Sequence, residues 1–492
     1  MKRLRKALSF LLIIVMTMTS VQLSGISETL QVSAAENAAY EIYPTPHDVE
    51  YPDGSFTLSD EVNVIFGEGI DQATKDKVDD VLKTANVTHV VTDTSANGKT
   101  NLLVGIHRSE GPKDAADQFA ADHTAVTDDH FNQTDAYVLT AQDNTIAAVG
   151  KDTNAAFYAL STLKMVLRQI TGKQLQNFAV TDFSDTGLRG FIEGYYGLPW
   201  SNEDRMNLMK FGGEIKCNAY VFAPKDDPYH NSKWREMYPE EKLAEIREMA
   251  EVGRKSKCEF VWTIHPFMSD RITESNYDDS LATIKKKFQQ LYDAGVRRFG
   301  VLADDAGGVS VNLIANLLND LTDWCKGKND VEDILYCPPE YNWAFAGYSW
   351  TNLRNANQLV NDDVDFFWTG QSVCGHVTKE TVDGFVNGLT SDAKAGRKPL
   401  FWLNWPVNDI NKVRMLMGKG EMLNTDVTNL AGVITNPMQQ SEPSKVAIFA
   451  VADYAWNIQG FNRDKSWADS FKYVEPDASQ ALHTMAKHLS DP

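Results

Sequence analysis

Two neighbouring carboxylates, Asp304 and Asp305, close the apolar run Gly300-Val-Leu-Ala-Asp-Asp-Ala-Gly307. Side chains alternate across a strand, so adjacent acids can serve one pocket only where the strand stops and the backbone turns. Gly307 and Gly308 mark such a turn. Two acids held side by side repel, and their surroundings push their proton affinities apart, leaving one ionised while the other carries a proton. That is an acid/base pair in outline. Taken alone, the pair suits two other duties as well: capping a helix that begins near Val309, and binding a cation.

The elements that must position the pair follow from the hydrophobic pattern. From Gly187 onward, strands read at Leu188 to Tyr195, Asn218 to Ala223, Glu259 to Ile264, Arg298 to Ala303, Ile334 to Cys337, Asp365 to Thr369, Leu400 to Asn404 and Gly432 to Thr435. Amphipathic helices separate them, clearest at Glu240 to Lys255, Asp278 to Ala294, Val309 to Cys325 and Lys379 to Ala393. Eight such units over about 270 residues predict an α/β fold, a (β/α)8 TIM-type barrel with its active site at the carboxyl ends of the strands. Before the barrel, short strands, a polar helix from Asp71 to Ala85, a hairpin across Asp143-Asn144 and a one-faced helix from Thr153 to Ile170 predict a small α/β domain. That domain carries no catalytic cluster and reads as support. After the barrel, Asp477 to Leu489 begins a helix with Ala481, Met485 and Leu489 at spacing four and no evident partner. The expected division is a signal peptide at 1–35, the α/β domain at 36–185, the barrel at 186–460 and the start of a C-terminal helical region at 461–492.

Composition narrows the function classes. At 492 residues, several domains are expected. A net charge of −20 without a dense Lys/Arg face argues against nucleic acid as a partner. Lys2, Arg3, Arg5 and Lys6 precede an apolar run from Leu8 to about Met18, and small residues follow at Val32-Ser33-Ala34-Ala35. This is the pattern of a secretory signal, which predicts an extracellular protein with no membrane insertion after cleavage; an uncleaved anchor is the alternative reading. No later stretch reaches the roughly 18 apolar residues of a span. Five cysteines without C-x-x-C spacing predict neither a disulfide framework nor a zinc site. No metal and no cofactor are expected.

The strand ends are polar beyond what packing needs. Glu193-Gly194-Tyr195-Tyr196-Gly197 follows the first strand, Pro224-Lys225-Asp226-Asp227 the second and His265-Pro266 the third. Further on come Pro339-Glu340-Tyr341, Trp368-Thr369-Gly370, the run Trp402-Leu-Asn404-Trp405-Pro-Val-Asn408-Asp409, and Thr435-Asn436-Pro437. Aromatic faces for sugar rings, interleaved with amides and carboxylates for hydroxyls, suit a saccharide.

These motifs, with Tyr220-Val-Phe-Ala-Pro-Lys-Asp-Asp-Pro-Tyr229 and Cys337-Pro-Pro-Glu-Tyr341, resemble glycoside hydrolase family 84, the bacterial relatives of O-GlcNAcase, some of which are called hyaluronidases. The preceding domain resembles the α/β domain of that family and of family 20 hexosaminidases. The resemblance implies substrate-assisted retention, in which the sugar's 2-acetamido oxygen attacks the anomeric carbon to give an oxazoline. On the family pattern Asp304 orients the acetamido N–H, and Asp305 protonates the leaving oxygen and then activates water. Matched residue by residue, Gly194 and Lys225 bind sugar hydroxyls, Asn404 the acetamido or ring side, Asp409 the hydroxyls at carbons 4 and 6, and Asn436 the 3-hydroxyl side. Tyr341 covers the acetamido pocket beside Trp402. Pro339 departs from the pattern, where Thr is more usual, and is expected to stiffen the loop and shift Tyr341 slightly. Relatives continue into helical domains and carbohydrate-binding modules, so the chain is expected to be part of a longer protein. The partner implied is a glycan or glycoprotein with terminal β-linked N-acetylglucosamine, cleaved from the end. Rival readings are an endo-acting hyaluronidase-type enzyme and a glycan-binding barrel without catalysis. The oligomeric state is open.

Overall fold

The computed structural model describes residues 39–490; the segment read as a signal peptide lies outside the described residues. The first part is a seven-stranded mixed sheet. Its strands are β1 (Asp48–Glu50), β3 (Glu61–Phe66), β4 (Thr88–Val91), β5 (Asn101–Ile106), β6 (Tyr137–Gln142), β7 (Thr145–Gly150) and β9 (Phe178–Asp182), in the order β1-β9-β6-β7-β5-β3-β4. A small antiparallel pair, β2 (Ser55–Thr57) with β8 (Gln174–Gln176), lies apart from it. The hairpin read across Asp143-Asn144 is β6–β7, and both turn residues take the left-handed conformation that Asp and Asn tolerate. Helices α1 (Gln72–Thr84), α2 (Ala115–His123) and α3 (Thr153–Leu167) complete this part. Asp71 and Asp152 cap α1 and α3 by accepting from Thr74 N and Ala155 N.

α3 departs from the sequence reading. A one-faced helix is expected, yet residues 155–167 are all buried. The second face rests on the barrel, where Tyr158 meets Trp456 edge-on at 5.9 Å and donates to Lys257 O at 3.3 Å. Asp182, fully buried at the end of β9, bridges the same seam. It accepts from Tyr137 Oη and Trp456 Nε1 at 2.8 and 2.9 Å and from the backbone N and ring Nδ1 of His47 at 3.0 and 3.1 Å, with the Lys216 ammonium at 3.4 Å.

Eight parallel strands then close a barrel: β10 (Leu188–Ile192), β11 (Ala219–Phe222), β12 (Glu259–Ile264), β13 (Arg298–Leu302), β14 (Ile334–Cys337), β15 (Val364–Trp368), β16 (Leu400–Leu403) and β17 (Gly432–Thr435). β17 pairs back on β10 from Leu188↔Gly432 to Phe191↔Thr435. The α/β barrel with a preceding small α/β part is therefore as the sequence predicts. The reading overruns most at β10, because the polar residues after Ile192 leave the ladder for the site. Helices α4 (Asn202–Glu214), α5 (Glu240–Ser256), α6 (Tyr277–Asp293), α7 (Val311–Lys326), α8 (Thr351–Leu359), α9 (Lys379–Leu389) and α10 (Ser441–Trp456) wrap the strands. One unit breaks the repeat: residues 404–431, between β16 and β17, form a long loop without a helix.

Two further helices follow, α11 (Arg463–Val474) and α12 (Ser479–Ala486). The face expected for α12 is wrong. Met485 is exposed, whereas Leu482, Ala486 and Leu489 face Trp467 and Phe471 of α11. The apolar stripe runs i, i+4, i+7, so it has a partner that spacing by four alone conceals. Among the described residues, no helix is long and apolar enough to cross a membrane.

Candidate active site

A cavity of about 440 Å³ opens at the carboxyl ends of the barrel strands. Gly194, Lys225, Asp304, Asp305, Tyr341, Trp402, Asn404, Asp409 and Asn436 all line it, so the structure brings every predicted site residue together. A larger cleft of about 1500 Å³ lies at the opposite end, where Glu259 and Arg298 begin β12 and β13. In barrels that end serves stability, and there Arg298 is spent on Glu259 and Glu332.

The acids lie just past β13. Ala306 N donates to Ala303 O at 3.1 Å, making a tight turn with Asp304 and Asp305 at its centre. Asp305 sits at φ +60°, in the left-handed region that Asp tolerates better than most non-glycine residues. That turn is how neighbouring side chains reach one pocket. The helix-cap alternative fails, because α7 starts at Val311 and its cap is Ser310, which accepts from Leu313 N. The cation alternative lacks support too. Among the described residues, no group of three or more His, Cys, Asp or Glu side chains is placed to hold a metal ion.

The two carboxylates have different surroundings. Tyr341 Oη donates to Asp305 Oδ1 at 3.0 Å. Asp304 faces the Lys225 ammonium at 3.7 Å from Oδ2, while its Oδ1 is buried and accepts no hydrogen bond. Burial alone would lower the Lys225 pKa, but Asp304, with Tyr196 and Asp305 behind it, raises it above the ordinary lysine value. Lys225 also lies 4.9 Å above the Tyr196 ring, so it is part of the site and not a solvated surface charge. Burial and Asp305 together hold the Tyr341 phenol well above its ordinary value. The Asp409 carboxyl is raised chiefly by burial, against the pull of the Tyr196 N–H it accepts at 2.8 Å.

The opposite wall is a chain of amides. Gly194 N donates to Asn436 Oδ1 at 3.2 Å, and Asn436 Nδ2 donates to Asn404 Oδ1 at 2.9 Å. Trp402 Nε1 donates to the same oxygen at 2.9 Å, and Asn404 Nδ2 to Val373 O at 2.7 Å. Trp402 is thus both core and site: it packs on Phe367 at 5.4 Å while lining the cavity. Behind this wall Glu193 is turned away from the cavity, accepting from Arg205 Nε at 2.8 Å, from Trp200 N at 3.0 Å and from Tyr220 Oη. Pro339 does not keep Tyr341 out of the cavity.

Four lining residues escape the sequence reading: Tyr196, Cys337, Thr369 and Val373. The first three stand in strand-end runs that mark the site, but only the fold says which side chains turn inward. Val373 has no sequence signal.

Residues 189–487 match the family model described as β-N-acetylglucosaminidase. The chain belongs to that family, glycoside hydrolase family 84. Residues 39–183 match the second domain of glycosyl hydrolase family 20. Against the family 84 structure named CpGH84D, the TM-score is 0.87 at 48% identity, covering 92% of this chain and 75% of that one. CpGH84B gives a TM-score of 0.82 at 27% identity, covering 92% and 78%. The Protein O-GlcNAcase of Rattus norvegicus is 30% identical over 302 residues, 58% of this chain but 31% of that protein. The chain therefore spans under a third of the length of this curated relative.

Proposed function

We propose that this chain is a secreted, retaining exo-β-N-acetylglucosaminidase that removes terminal β-linked N-acetylglucosamine with help from the sugar's own acetamido group. The observation that carries the reading is the Oδ1 of Asp304, a buried acceptor that receives no hydrogen bond although His265 Nε2 lies 3.5 Å away, beside the acid Asp305. A buried carboxylate oxygen is costly unless it receives a hydrogen bond, and an acetamido N–H supplies one. In the first step Asp305 gives a proton to the glycosidic oxygen as the bond from the anomeric carbon to that oxygen breaks. The acetamido oxygen closes on the anomeric carbon from the opposite face, and Asp304 accepts from the N–H that becomes acidic in the oxazoline. In the second step Asp305 takes a proton from water, which attacks the anomeric carbon and reopens the ring. Two inversions leave the configuration unchanged.

The rest of the cavity supports the assignment of sugar contacts made from the sequence. Asp409 offers a carboxylate for hydroxyls far from the reacting centre, and the Asn404–Asn436 pair offers donors and acceptors along the ring. The cavity, about 440 Å³ with the solvent at its mouth included, is small, which favours removal of a terminal residue. Export rests on the basic and apolar pattern of the first 35 residues.

The test is hydrolysis of 4-nitrophenyl β-N-acetylglucosaminide by the purified protein and by Asp304→Asn and Asp305→Asn, with the corresponding β-glucoside as control. Cleavage of the acetamido sugar alone is expected, with losses of roughly 10²–10⁴-fold in both variants. Equal turnover of the glucoside would rule out acetamido participation. Binding of N-acetylglucosamine without any cleavage would make the barrel a lectin.

A further inference from the structure

The loop after β12 grips the turn that carries both acids. His265 Nε2 lies 2.8 Å from Asp304 O and 3.5 Å from the carboxylate Oδ1 of the same residue, and because a carbonyl can only accept, Nε2 carries the proton. Arg271, from the same loop, donates to Gly307 O at 3.1 Å and to Phe267 O within its own loop at 3.0 Å. His265 is 5% exposed, its backbone N–H donates to His230 O at 2.8 Å, and its buried Nδ1 has no hydrogen-bond partner.

The carbonyl that His265 holds belongs to the peptide joining the two acids. The Ala303–Ala306 turn has its only positive φ at Asp305, the φ pattern of a type II turn. Type I and type II differ chiefly in this central peptide, which is rotated by roughly half a turn between them. Type II asks for Gly or Asn at the third position, and here the residue is Asp. Without an external hold, an Asp there favours the type I form, which would carry the Asp305 side chain on a different course. We propose that His265 is a positioning residue: its Nε2–H pins the Asp304–Asp305 peptide in the type II orientation and so keeps both carboxylates in one pocket. The proposal rests on the roles given to Asp304 and Asp305 above, but the hydrogen bond can be tested without them.

The kinetic test compares His265→Phe, which keeps a ring without a donor, with His265→Gln, which keeps an N–H. Asp305 alternates between acid and base, so a misdirected carboxylate changes kcat and the limbs of the pH–rate profile more than KM. His265→Phe is expected to lose roughly 10²-fold in kcat with a displaced pH profile, and His265→Gln to recover at least tenfold of that. Unchanged turnover in the Phe variant, or equal losses in both, would overturn the proposal. A second measurement needs no variant to be active or the enzyme to be a glycosidase. The ¹⁵N imidazole spectrum of the native protein, assigned by loss of one signal in His265→Gln, should show His265 protonated at Nε2. An Nδ1–H tautomer with a bare Nε2 removes the clamp whatever the reaction turns out to be.

Discussion

The phenol of Tyr341 has one partner in the cavity, Asp305, and this single hydrogen bond ties the loop after β14 to the proton donor. A hydrogen bond contributes about 0.5–1.5 kcal/mol net, so Tyr341→Phe should lower kcat/KM roughly two- to tenfold. A variant with native kcat/KM would show that Asp305 is held by its turn alone. At this scale the acids are legible in the sequence only together with the other polar strand ends, since the pair taken alone suits a helix cap or a cation site as well. Tyr196 is not. Its neighbour Tyr195 is buried and donates to Leu198 O, while Tyr196 lies under the Lys225 ammonium, and which of two adjacent tyrosines turns inward depends on a loop the sequence does not specify. His265 is visible at a strand end, but its bond to Asp304 is set by one peptide's orientation, which leaves no mark in residue type.

Among the elements, the first strand's exit is the tightest fit. A Cβ on Gly194 would come within 2.7 Å of Trp402 Cζ2 and 3.5 Å of Asn436 Oδ1. Gly194→Ala must therefore push the indole or the amide chain aside, and a shift near 1 Å in sugar-contacting groups costs about 10²-fold in kcat/KM. Native affinity for N-acetylglucosamine in this variant would mean that the wall has slack. The barrel strands are legible because each is a short apolar run fenced by polar residues. The missing helix between β16 and β17 is less so, since Trp402 to Asp409 reads as a strand end whatever follows. α3 and α12 are misread for different reasons: the apolar stripe of α3 is real but its other face is buried as well, and the stripe of α12 runs i, i+4, i+7 beside the spacing of four that the sequence suggests.

At the scale of the whole molecule, the buried junction around Asp182 makes stability depend on pH. Burial alone would lower the His47 pKa, but Asp182 and Asp185 outweigh it and raise the value to about 9. An unfolded histidine titrates near 6.5. The contribution of these pairs is therefore complete below about pH 6.5 and is lost as pH rises through about 9. His47→Gln should lower the melting temperature more at pH 6 than at pH 10. Equal gaps at the two pH values would show that His47 stays neutral in the fold. Lys216, pushed down to about 8 by burial, works in the opposite direction, but it is present in both proteins and drops out of the comparison.

The burial of α3 on both sides bears on inheritance. Because one face is oil to the first sheet and the other is oil to the barrel, neither half owns a complete water-compatible surface. Lys164 deepens the dependence, for its ammonium is shared between Asp80 of α1 and Glu214 of α4. A gene fusion that moved residues 189–487 into a new protein would carry a sticky flank with it.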